Sequence, residues 1–305
     1  MEFTNFIELV REEVEKRAGE NYTVKINDVM KNNGIILSGL TVMRDDSNIS
    51  PTIYLNTYYD AYKNDEISLD NIIDNVMDTY ERNKVNRSID MKYFLDYNKV
   101  RHRLVYKLIN TKRNAVLLKD IPHIKFHDLS IVFQFLIAEE AFGTATILVH
   151  NAHLKIWNVS IEELYKTACE NTPFLNKYYI KSIKESIMEM LSEEMCEEFE
   201  NDENSIYKGD SVPMYVLSNT NRINGAACIL YPELIKDFSK AVNNNLFIIP
   251  SSVHEVLLLP SDNAKDAETI KEMVKEINCT QVEAEEVLSD SVYYYDMFLD
   301  EIIRM

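Results

Sequence analysis

Cationic residues are scarce in this chain. Lys and Arg number 32 against 50 Asp and Glu over 305 residues, a formal net charge of −18. That deficit excludes a phosphate-neutralising surface, so neither direct binding to DNA or RNA nor attachment to an anionic membrane is expected. Glycine and proline are few, 6 and 7, which excludes a collagen-like or linker-dominated chain. No G-x-x-x-x-G-K-[ST] or G-x-G-x-x-G loop occurs, which argues against the commonest nucleotide-binding folds. The four cysteines (Cys169, Cys196, Cys228, Cys279) form no C-x-x-C pair. Neither a zinc site nor a dithiol redox motif is expected, and three of the thiols are expected to pack as small apolar groups. No apolar run approaches the ~20 residues of a membrane-spanning helix. The opening MEFTNFIELVREEVEKR is acidic and amphipathic, unlike a secretory signal. Together these absences predict a cytoplasmic protein without a cofactor. What is abundant is core material. Hydrophobic residues make up 46% and aromatics 10%, enough for a large core without disulfides or metals.

Periodicity predicts an α+β fold of antiparallel or mixed sheets with helices on one face. Phe6, Leu9, Val10 and Val14 mark a helix from Thr4 to Ala18, closed by Gly19. Tyr22–Asp28 and Gly34–Arg44 read as a hairpin around Asn32-Asn33-Gly34, and Thr52–Leu55 as a short strand. From Asn56 to Asp120 the pattern is helical, with Ser68 as a cap and Val100, Leu104 and Leu108 continuing the series. Ile124–Ala138 reads as one strand, apolar on both faces and hence buried on both. Ser160 opens a helix that Thr172-Pro173 breaks, and a second helix is expected from Lys177 to Glu200. Strands at Leu246–Ile249, Val253–Leu259 and Val292–Tyr295 enclose a helix at Asp266–Ile277. A break near Pro122 divides the chain into residues 1–122, a hairpin with a helix-rich lobe, and residues 123–305.

The second part contains an apparent duplication. Phe133–Trp157 aligns without gaps on Tyr215–Ser239, placing Gly143 on Gly225, Ala145 on Ala227, Ile147 on Ile229 and Leu148 on Leu230. Both stretches read as strand, turn, glycine, strand and helix, which predicts two equivalent β-β-α units.

Several groups could carry chemistry. Ser252, His254 and Glu255 could form a nucleophile and base, since a strand places Ser252 and His254 on one face. No G-x-S-x-G elbow accompanies them, and Leu258 stands where a zinc peptidase needs its second histidine. The competing reading is a Pro-Ser-Ser turn whose polar groups satisfy the backbone. His123 and His127 lie four apart and His150 and His153 three apart; the second pair could share a helical face, a metal-compatible spacing, but no carboxylate-rich motif accompanies either pair. Arg101, Arg103 and Lys107 form a positive patch that could contact an anion. Tyr293, Tyr294 and Tyr295 make either an amphipathic strand or an aromatic contact surface. Glu193, Glu194, Glu197 and Glu198 concentrate negative charge on a predicted helix, where a basic partner would relieve their repulsion.

Four segments carry a family resemblance: Met30–Gly34 (MKNNG), Asp46–Leu55 (DSNISPTIYL), Pro250–Val256 (PSSVHEV) and Leu288–Asp296 (LSDSVYYYD). Together they resemble an uncharacterised bacterial family of unknown function, found in low-GC anaerobes and often in mobile elements. The resemblance spans nearly the whole chain and transfers no activity. It implies a cytoplasmic bacterial protein and a setting of defence or counter-defence.

The function expected on these grounds is non-catalytic. An acidic interaction protein would inhibit or regulate a partner with a basic surface, such as a nucleic-acid-processing enzyme. The alternative is a hydrolase or small-ligand enzyme using the Pro250–Glu255 turn.

Overall fold

The computed structural model describes residues 1–84, 91–137, 146–189, 213–263 and 267–305. Among these the chain forms two compact units, Met1–Asp96 and a larger unit from Tyr97 to Met305. The fold is α+β, and every strand pair among the described residues is antiparallel.

The first unit runs α1 (Phe3–Ala18), β1 (Tyr22–Met30), β2 (Ile36–Arg44), β3 (Thr52–Tyr54), α2 (Asn56–Lys63), α3 (Leu69–Asn83) and α4 (Met91–Phe94). Its sheet has the order β1-β2-β3. Phe6, Val10 and Val14 recur every four residues along α1, and all three are fully buried. They share a core with Leu40, Val42, Ile72, Ile73 and Val76. Gly19 ends α1 at φ 92°, a conformation that favours glycine. Ser68 caps α3 as expected, its Oγ accepting from the N–H of Asn71 at 3.3 Å.

The second unit begins with α5 (Tyr97–Val100), β4 (Leu104–Asn110), β5 (His123–Phe126), β6 (Leu129–Leu136) and β7 (Thr146–Leu148). It continues through α6 (Asn151–Trp157), α7 (Ile161–Leu175), β8 (Tyr178–Ser182), α8 (Ile183–Met188), β9 (Tyr215–Asn219) and α9 (Leu234–Val242). It ends with β10 (Leu246–Pro250), β11 (Val256–Pro260), α10 (Ala267–Thr280), β12 (Tyr293–Asp296) and β13 (Glu301–Arg304). Strand β6 pairs with β4 along one edge and with β5 and β7 along the other. A six-stranded sheet has the order β13-β12-β10-β11-β9-β8. One face of that sheet packs Phe247, Ile249 and Leu259 against Ile270 and Val274 of α10. The alternate residues Ile248, Leu258, Tyr293 and Tyr295 are buried too.

Several expectations require correction. The division falls near Asp96 rather than Pro122, because β4 and β6 pair across that proline. Leu104–Asn110 is a strand, not a helix. It is buried on both faces, so its sequence LVYKLIN lacks alternation, and Leu104 and Leu108 mimic helical spacing. The long strand expected from Ile124 is a hairpin that turns at His127, φ 54°. Pro173 lies inside α7, and the following segment begins with a strand at Tyr178 instead of a helix.

The two aligned segments are not equivalent β-β-α units. In the first, β7 pairs with β6 and α6 follows; Gly143 lies outside the described residues. In the second, Gly225–Leu230 is a 3-10 helix instead of a strand. Its small residues let the backbone press close. A Cβ on Gly225 would lie 2.1 Å from Ser218 Oγ and 2.4 Å from the His254 carbonyl oxygen. Of the described cysteines only Cys228 is fully buried, its thiol pushed up to about 12 by burial. Cys169 is half-buried and Cys279 is exposed.

Candidate functional site

The segment Leu288–Asp296 converges on one carboxylate. Asp128 follows the turn residue His127 and accepts from Ser289 Oγ at 2.6 Å, Ser291 Oγ at 3.1 Å and Tyr293 Oη at 2.8 Å. Arg304 Nε lies 3.6 Å from it and also donates to Ser291 Oγ at 3.0 Å. Burial opposes the charge on Asp128. The hydroxyls of Ser289 and Tyr293, a backbone N–H and Arg304 more than offset this, so the carboxyl sits below its ordinary range. Asn110 Nδ2 donates to the Leu288 carbonyl at 3.0 Å, and Asn278 Nδ2 to the Ser289 carbonyl at 2.9 Å. Arg113 reaches Asp290 at 3.0 Å. The motif is therefore a clamp between the turn after β5, the end of β4, and α10.

Pro250–Val256 is a second joint. His254 Nδ1 accepts from the N–H of Asn224 at 3.2 Å, which leaves the Nε2 proton facing Glu286 Oε1 at 3.4 Å. The His254 carbonyl accepts from Ser218 Oγ at 2.7 Å, beside Gly225. Ser252 Oγ accepts from the backbone N–H of His254 at 3.0 Å, not from its imidazole. The serine and the ring are thus engaged with different partners and do not form a nucleophile–base pair. Ser251 and Glu255 line a cavity of about 280 Å³ with Arg222 and Glu189, while Ser252 and His254 do not.

A cleft of about 520 Å³ opens between β5, the start of α9 and the β12–β13 hairpin. Its charged lining is Lys125, Glu233, Lys236, Asp300 and Glu301, above a floor that includes Ile229, Leu230, Leu234 and Ile302. Lys236 bridges Asp300 at 2.7 Å and Glu233 at 3.1 Å. Tyr295 Oη donates to Asp300 Oδ1 at 2.6 Å. Lys236, with the help of Tyr295, holds the Asp300 carboxyl below its ordinary range.

Above the cleft, the hairpin projects Met297, Phe298 and Leu299. Phe298 is 94% exposed. The turn that carries it is tied down. Asp296 Oδ1 accepts from the N–H groups of Phe298 at 2.8 Å and Leu299 at 3.0 Å, and the N–H of Met297 donates to Asn245 Oδ1 at 2.8 Å.

A family model matches residues 3–297. The chain belongs to a family of unknown function, DUF5688. No curated protein and no solved structure matches it. In this DUF5688 chain the match takes in both joints and stops at Met297, before Phe298, Leu299 and β13.

The remaining expected residues are dispersed. Tyr293 and Tyr295 are buried, and Tyr294 packs on Phe247 with ring centroids 5.2 Å apart. Their hydroxyls and rings build the clamp and the core, so they do not form an exposed contact surface. Arg101 and Arg103 sit in a 3-10 turn and Lys107 on β4, so the three do not share a helix face. Glu193, Glu194, Glu197 and Glu198 lie outside the described residues. His123 Nδ1 contacts the Ile121 carbonyl, His150 pairs with Asp120 at 2.6 Å, and His153 stacks on Trp157. No cluster of three metal-ligating side chains occurs among the described residues. No helix among them is long and apolar enough to cross a membrane.

Sequence reasoning missed the hub at Asp128 and the apolar tip. Asp128 stands alone in sequence, some distance from its donors. The tip's Met-Phe-Leu carries no local signal, because its exposure depends on the pairing of β12 with β13.

Proposed function

We propose that this is a non-catalytic, cytoplasmic interaction protein that docks through the β12–β13 hairpin onto a partner with a basic surface. The observation carrying this is Phe298, held almost fully exposed on a turn that Asp296 fixes. Leaving a Phe in water forgoes about 2 kcal/mol of burial. A partner that covers it recovers that without having to order the turn, which lowers the entropic cost of binding. Asp296 stands at the mouth of the hairpin, where β12 ends, and the whole chain carries −18. Both favour an apolar pocket rimmed by Lys and Arg. Nucleic-acid-processing enzymes present such rims, so inhibition or regulation of one is the role this chemistry suits.

The test is paired capture from the native host with wild type and Phe298→Asp, repeated over a salt series. A basic protein retained by wild type at low salt, lost with rising salt and absent from the variant is the expected outcome. Identical recoveries with both baits would refute docking through the tip.

A further inference from the structure

The cleft below the tip combines strain, divided charge and an apolar floor. His127, Glu233 and Asp300 all line it, and all hold left-handed backbone, at φ 54°, 59° and 55°. Elsewhere among the described residues this conformation falls on Asn33, Asp65, Asn158, Arg222, Asn224 and Asn243; asparagine and aspartate tolerate it best. For Glu233 the cost is roughly 1 kcal/mol or more, and such costs gather at ligand sites; His127 and Asp300 are residue types that enter this region more readily. Charge is divided by wall. The β5 side contributes Lys125. The α9 and hairpin side contributes Glu233, Asp300 and Glu301, and its one cation in the lining, Lys236, is held between Glu233 and Asp300. Lys125 and Glu301 have no ion-pair partner among the described residues. They line one cleft and are not within pairing distance of each other.

We infer that this cleft binds a small zwitterion with an apolar body, of the amino-acid or dipeptide class. The ligand's carboxylate lies at Lys125, its ammonium at Glu301, and its side chains lie over Ile229, Leu230 and Ile302. A lone anion would leave Glu301 unpaired beside it, and a lone cation would do the same to Lys125. A molecule carrying both charges satisfies both walls. The volume of about 520 Å³ suits a ligand of this size. The site is separate from the tip, which docks a protein whether or not the cleft is filled.

The experiment is calorimetric titration of the full chain with the dipeptide Leu-Leu, its N-acetyl form and its C-terminal amide. The free dipeptide should bind saturably, and each cap should weaken it by about tenfold or more. Lys125→Ala should abolish the penalty for amidation, and Glu301→Gln the penalty for acetylation. Both side chains are exposed, so both variants should keep the wild-type melting temperature. Phe298→Asp should bind the dipeptide as wild type does, which separates this inference from the docking reading. No saturable binding at millimolar dipeptide, equal affinity for capped and free forms, or cap penalties unchanged in both variants would overturn it.

Discussion

Asp128 shows how much one side chain can organise. Three hydroxyls donate to a single carboxylate, and the Arg304 guanidinium lies 3.6 Å from it as an ion pair. Removing it leaves Ser289 and Tyr293 buried without their acceptor. Asp128→Ala should therefore cost about 2–3 kcal/mol, measured by denaturant unfolding. The pH dependence follows from the direction of the shift. The folded-state value of Asp128 lies below its ordinary value. Its stabilisation is therefore complete above the unfolded value near 3.9 and is lost as pH falls through the lower folded value. Wild type should lose stability more steeply than the variant across that acid range. Parallel curves would show that the carboxylate is not ionised in the clamp. The same residue marks a limit of sequence reading. Ser289, Ser291 and Tyr293 alternate as a strand requires, but nothing local says that all three point at one acid more than 160 positions away.

At the scale of elements, the motifs that stood out in the sequence prove to be joints. MKNNG is the turn between β1 and β2. In DSNISPTIYL, Ser47 Oγ donates to the Ile49 carbonyl and Ser50 Oγ to the Val42 carbonyl, guiding the chain into β3. PSSVHEV presses against Gly225, and LSDSVYYYD closes on Asp128. Joints of this kind demand particular residues because a backbone polar group or a close approach must be satisfied at each. Gly225→Ala tests one of them. The added methyl would sit 2.1 Å from Ser218 Oγ, 2.4 Å from the His254 oxygen and 2.7 Å from the Asn219 nitrogen. Two of these are backbone atoms, so the turn must move. A loss of about 1–3 kcal/mol is expected, with amide exchange rising first around Asn224 and Val253. Unchanged stability would mean that the 3-10 helix and the turn separate freely. Elements with one clear period were legible: α1, α3, the β1–β2 hairpin and α10 all lie close to where periodicity placed them. Strand β4 and the 3-10 helix at Gly225 were not, because full burial erases the alternation that distinguishes strand from helix.

For the whole molecule, the dominant long-range quantity is the charge of −18. Self-repulsion of that size opposes compaction and is screened by salt. At neutral pH the melting temperature should rise by a few degrees from low to physiological ionic strength, equivalent to about 1 kcal/mol. A flat or falling curve would mean that internal ion pairs such as Lys236–Asp300 outweigh the net repulsion. Composition and periodicity by themselves determined the α+β class, the acidity and the lack of an apolar run of membrane-spanning length, since each depends on residue counts or on spacing within one element. Only the tertiary structure decided where the two units divide, that the aligned segments differ, that the tyrosine strand is core, and that Phe298 stands exposed above a cleft of divided charge. Each of these is a contact between residues far apart in the chain, and a contact of that kind follows from strand order and register, which local spacing does not encode.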